Sequence, residues 1–159
     1  MPNRKKSEKP IPLFFDTYLA VIRNSVGSGL FRNLYAKVGG RKTDLLRNGK
    51  LSCAFYVSSI LKLFDLIGGI HATVDSTIDD LRRSGWSKVT KPEAGSVLVW
   101  ERLKGHKHIG FFIGAGRAVS NRPETGFPSI HGWEFDSRRK VEAVFRHPKF
   151  FSKKHRRVL

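Results

Sequence analysis

The chain's one cysteine, Cys53, stands in Leu51-Ser52-Cys53-Ala54-Phe55, at the head of an apolar run with helical spacing. A thiol there suits nucleophilic chemistry, because the unpaired N–H groups and aligned peptide dipoles of a helix's first turn favour a thiolate. The same N–H groups could receive the oxyanion of a tetrahedral intermediate. Such a nucleophile needs a base within hydrogen-bond reach, held on a rigid element. His108 opens the run Ile109-Gly110-Phe111-Phe112-Ile113, which reads as a strand. A third group should hold the other imidazole nitrogen and so fix its tautomer. Asn121, ending the next strand, is chemically suited, with Ser120 beside it as the alternative; strand register decides which of the two turns inward. The candidate catalytic residues are therefore Cys53, His108 and Asn121, and the chemistry is attack of a thiolate on a carbonyl, which requires no metal and no organic cofactor. Two plainer readings stand beside it. A free cysteine is commonly a small buried hydrophobe, and His106 and Lys107 make a solvated loop around His108 equally natural.

Positioning those groups takes helices first and a sheet second. Phe14, Thr17, Tyr18, Val21 and Ile22 predict a helix near 13–25, and Leu30, Phe31, Leu34, Tyr35 and Val38 a short second one ended by Gly39-Gly40. Residues 41–50 read as loop or frayed helix. Ala54, Val57, Ile60, Leu61 and Phe64 make one broad apolar face that Gly68-Gly69 stops, and Thr73 or Asp75 caps a further helix that ends before Gly85-Trp86. The pattern then changes to short β-rich runs at 96–101, 108–113, 117–121 and 141–146, with Gly114-Ala115-Gly116 as a hairpin turn. The segment 122–128, with Pro123, Gly126 and Pro128, reads as a loop leading to His131-Gly132-Trp133, a stretch suited either to lining a groove or to packing. Helices followed by an antiparallel sheet give an α+β domain, expected to span 11–150 between basic tails at 1–10 and 151–159.

The order Cys53, His108, Asn121 resembles the NlpC/P60 and CHAP families of papain-like cysteine peptidases and amidases. Gly85-Trp86, then Lys91-Pro92-Glu93-Ala94-Gly95-Ser96 and the hydrophobic Val97-Leu98-Val99-Trp100, is similar to those families' segment of Gly-Trp, Pro-Gly-Asp and strand. His108-Ile109-Gly110-Phe111-Phe112-Ile113-Gly114-Ala115-Gly116-Arg117 is similar to their histidine hairpin. The resemblance covers 51–121 and implies a papain-like fold, a cell-wall-type peptide substrate and cleavage through a Cys53 thiolate with His108 as base. Ser52-Cys53-Ala54-Phe55 departs from the families' usual Asp-Cys-Ser-Gly, and their usual spacing for the third residue points to Ser120.

Thirty Lys and Arg against 13 Asp and Glu give a net charge of +17, a field that attracts polyanions whatever the fold. Peptidoglycan-like polymer and nucleic acid both qualify, so a cationic nucleic-acid-binding module, or an inactive interaction module on the same fold, is the rival to a hydrolase. No helix-turn-helix, RNA-recognition or zinc-finger signature supports the rival. One cysteine excludes an intramolecular disulfide. No secretory signal and no membrane span is read from the sequence, which makes the cytoplasm the default location.

Overall fold

The computed structural model describes residues 9–151, so the predicted tails fall almost wholly outside the described residues. Helix α1 (Phe14–Asn24) buries Tyr18, Leu19 and Ile22 along one face, carries Asp16 in its first turn and Arg23 in its last, and so agrees with the helix dipole at both ends. After it, the predicted second helix is replaced by a single 3-10 turn at Gly29–Phe31 and a hairpin of β1 (Tyr35–Val38) and β2 (Arg41–Asp44). The correction has a backbone cause. Gly39 and Gly40 both adopt positive φ, +54° and +81°, which is the two-residue turn that matches strand twist rather than a helix stop.

Helix α2 (Cys53–Leu63) buries Ala54, Tyr56, Val57, Ser58, Ile60 and Leu61. Helix α3 (Val74–Arg83) starts as predicted, with Thr73 Oγ1 accepting from the Ser76 amide at 3.2 Å, and carries Asp75 early and Arg82 and Arg83 late. Asp80 on α3 closes the loop after α2. It accepts from the amides of Gly68 (3.2 Å) and Gly69 (2.9 Å) and from Ser84 Oγ (3.0 Å), and it pairs with His71 Nε2 at 2.6 Å.

The remaining strands are β3 (Ser87–Val89), β4 (Val97–Leu103), β5 (His106–Gly114), β6 (Arg117–Arg122), β7 (Phe127–Gly132) and β8 (Val141–Arg146), followed by the short helix α4 (Pro148–Phe151). They form one antiparallel sheet in the order β3-β8-β4-β5-β6-β7. The α+β class expected from the sequence is therefore observed, and β7 occupies much of the segment read as a loop. Pro128 disguised it: a residue with no N–H is tolerated in a strand at a sheet edge, and β7 is an edge.

Strand alternation divides the sheet's side chains between two layers. Val97, Val99, Ile109, Phe111, Val119 and Phe145 pack under α1, α2 and α3 in the larger core. Leu98, Trp100, Phe112, Ala118 and Val144 form a smaller cluster on the opposite face, covered by Trp133, Phe135 and Val141.

Candidate active site

Cys53 is the first residue of α2, and the loop before it is tied to the far side of the sheet. Gly49 adopts φ +90°, and a Cβ there would come within 2.5 Å of the Gly126 carbonyl oxygen; the turn after β6 therefore touches the loop before Cys53 backbone to backbone. Asn121 Nδ2 donates to the Gly49 carbonyl at 2.7 Å, and Ser52 Oγ donates to the same carbonyl at 3.1 Å. These bonds fix where α2 begins.

Pairing between β5 and β6 ends at Phe111↔Val119, and the Ile109 amide lies beyond that last pair. It is one of the groups that favour the Cys53 thiolate, together with the amides of Ala54 and Cys53 and the charge of Arg139. Burial of the sulfur acts the other way and is larger, so the thiol is raised above its ordinary value. The helix terminus thus acts in the expected sense and desolvation outweighs it. The resting group is a thiol.

His108 is 5% exposed and faces the smaller core, its ring 5.5 Å from that of Trp100. Burial, followed by the positive fields of Arg139, His131 and Arg122, pushes its pKa down to about 3. It is a neutral imidazole at neutral pH. No hydrogen bond joins it to Cys53 among the described residues; the thiol meets the strand at the amide of the next residue, Ile109.

Of the two candidates, Ser120 is the one bonded to His108. Its Oγ lies 2.8 Å from His108 Nε2, whereas the Asn121 amide serves the Gly49 carbonyl on the other face of the strand. Asn121, expected beside His108, instead bonds the loop that precedes α2. The physical reason is register: Ser120 shares its face with Ala118 in the smaller core, and Asn121 shares the opposite one with Val119. Gly110 permits the approach. A Cβ on it would lie 2.6 Å from the Val119 carbonyl oxygen and 2.7 Å from Ser120 Cβ.

Two participants escaped the sequence reading. Arg139 donates to the carbonyls of Glu101 (2.9 Å) and His106 (2.5 Å) rather than to a carboxylate, and its charge acts on both Cys53 and His108. It approaches from the segment before β8, where sequence shows only one basic residue among several. The second is His131, whose Nε2 lies 2.7 Å from Ser120 Oγ. The sequence leaves His131-Gly132-Trp133 suited to lining a groove or to packing, and the histidine's place beside Ser120 follows only from β7.

His108 opens into a cavity of about 220 Å³ whose walls include Arg122, Arg138, Arg139, Glu124 and Phe135. Among the described residues, no group of three or more His, Cys, Asp or Glu could hold a metal ion, and no helix is long and apolar enough to cross a membrane. Comparison with protein-family models finds none that matches the chain, and a search of curated proteins finds no significant match.

Proposed function

We propose that the chain is a cysteine hydrolase of the papain-like NlpC/P60 or CHAP type, cleaving an amide bond in a cell-wall-type peptide. The observation that supports this reading is the Cys53 thiol at the first turn of α2, bonded to the amide of Ile109, which directly follows a buried neutral His108 held by Ser120. A buried polar group of this kind costs stability unless it is used or satisfied. In the reaction, Cys53 Sγ attacks the carbonyl carbon and its proton passes to His108 Nδ1. The first-turn N–H groups of α2 receive the oxyanion. The imidazolium returns the proton to the leaving amine, and water, deprotonated by His108, releases the acyl group from sulfur. Arg122, Arg138 and Arg139 line the cavity, the first two already paired with Glu124 and Asp136, so a carboxylate-bearing peptide would have to compete with those pairs there.

Turnover of such peptides tests the reading: Cys53→Ala is expected to abolish cleavage and keep the fold, and undiminished cleavage by that variant refutes it. A second reading, polyanion binding, is favoured by the β1–β2 hairpin, where Lys37, Arg41 and Lys42 are exposed around the Gly39-Gly40 turn on a chain of net charge +17. Nucleic-acid affinity that falls steeply with salt and survives Cys53→Ala supports it, and no affinity at low salt removes it.

A further inference from the structure

We propose that His131 is a positioning residue that sets the tautomer of His108 through the hydroxyl of Ser120. The inference rests on the reading of Cys53 and His108 as a reacting pair. The Gly132 carbonyl oxygen, 2.8 Å from His131 Nδ1, can only accept, so Nδ1 carries a proton. In the neutral imidazole Nε2 is then an acceptor, and Ser120, 2.7 Å away, donates its hydroxyl proton to it. With that proton committed, Ser120 Oγ is an acceptor toward His108 Nε2 at 2.8 Å, and His108 must carry its own proton on Nε2. Its Nδ1 is left with a lone pair. A backbone carbonyl two side chains away thereby dictates the one tautomer in which His108 can take a proton from a thiol.

The setting protects this chain of bonds from water, which would otherwise scramble its direction. Ser120 is fully buried, and His108 and His131 are 5% and 8% exposed. Phe135 stacks on His131 with centroids 3.9 Å apart and planes 19° from parallel, and Trp100 lies 5.6 Å from the same ring. The clamp is itself held: the Phe135 amide donates to the Gly132 carbonyl at 2.9 Å, and Trp100 Nε1 donates to the Trp133 carbonyl at 2.7 Å. Phe135, Asp136 and Ser137 all adopt positive φ, 49°, 55° and 63°, a left-handed run at the turn that carries the stacked Phe135 ring.

The dependence on direction separates positioning from mere packing. His131→Phe keeps the ring stack and removes the acceptor, freeing the Ser120 hydroxyl to donate to His108 Nε2 and to move the His108 proton to Nδ1. His131→Gln supplies an amide oxygen near the place of Nε2 and restores the direction. Nitrogen NMR of the histidine-labelled full chain reads the tautomer directly, and iodoacetamide alkylation of Cys53 reads its consequence. In the wild type the His108 proton is expected on Nε2. In His131→Phe it moves to Nδ1 and alkylation near neutral pH slows by about tenfold or more, the scale of a misplaced general base; His131→Gln returns both to near wild type. An Nδ1 proton on His108 in the wild type overturns the proposal without any variant. So does an unchanged tautomer in His131→Phe, or a His131→Gln protein that is folded and as slow as His131→Phe. The tautomer readout does not depend on catalysis: if His108→Ala leaves alkylation unaltered, the reacting pair itself fails, whereas a wrong tautomer removes only the relay.

Discussion

Acid should destabilise this protein through His108, in a pH window that the geometry defines. The ordinary imidazole pKa of 6.5 applies in the unfolded chain, and burial beside Arg139, His131 and Arg122 lowers it to about 3 in the fold. Between those values the unfolded state binds a proton that the folded state refuses, so stability is complete above about pH 6.5 and declines as pH falls toward 3. Each pH unit in that window costs about 1.4 kcal/mol, and going from pH 6.5 to 4.5 removes about 2–3 kcal/mol. That is a large share of an ordinary domain's stability of about 5–15 kcal/mol. His131, also lowered by burial, acts in the same direction. Asp80 does not interfere. Burial alone would raise its carboxyl, but bonds from His71, Gly68, Ser84 and Gly69 lower it to about 2, so its contribution is intact above the ordinary 3.8 and is lost only as pH falls toward 2. Urea unfolding at pH 6.5 and 4.5, in wild type and His108→Gln, measures the effect. The wild type should lose about 2–3 kcal/mol more than the variant; equal losses would mean that His108 is solvated and the site is not built as described.

Gly110→Ala should cost about 1–3 kcal/mol by overpacking, because its new Cβ meets the Val119 carbonyl oxygen at 2.6 Å and Ser120 Cβ at 2.7 Å. It should also slow Cys53 alkylation by forcing β5 and β6 apart at the His108–Ser120 bond, and wild-type stability in this variant would contradict the close approach. Asp80→Ala, measured by urea unfolding, should cost about 2–4 kcal/mol by stripping the Gly68 and Gly69 amides of their acceptor, while leaving alkylation of the folded protein unchanged.

Helices α1, α2 and α3, the hairpin around Gly114-Ala115-Gly116 and the strand ending in Phe145-Arg146 are legible because periodicity and turn residues agree there. Trp86 also packs at the end of α3, donating its indole N–H to the Leu66 carbonyl at 2.7 Å. The first hairpin was not legible because Leu30, Phe31, Leu34, Tyr35 and Val38 fit helical spacing by chance, and only the conformation of Gly39-Gly40 reverses that reading. At the candidate site, Cys53 and His108 are visible in the sequence by their chemistry, the first at the start of α2 and the second near the start of β5. The choice between Ser120 and Asn121 depends on which face of β6 each occupies, and a one-residue shift in register exchanges them. His131 and Arg139 reach His108 and Cys53 through tertiary packing from chain that carries no periodic signal of its own.

The central claim is that Cys53 and His108 react as a pair, and the rate of iodoacetamide alkylation of Cys53 against pH, in wild type and His108→Ala, tests it most directly. With a neutral His108 accepting the thiol proton, the wild-type rate should hold a plateau between about pH 5 and 8. In His108→Ala the rate should follow thiolate population alone and fall by about tenfold per pH unit over the same range. Superimposable profiles, both falling in this way, would mean that the thiol is a packing residue and that the hydrolase reading is wrong.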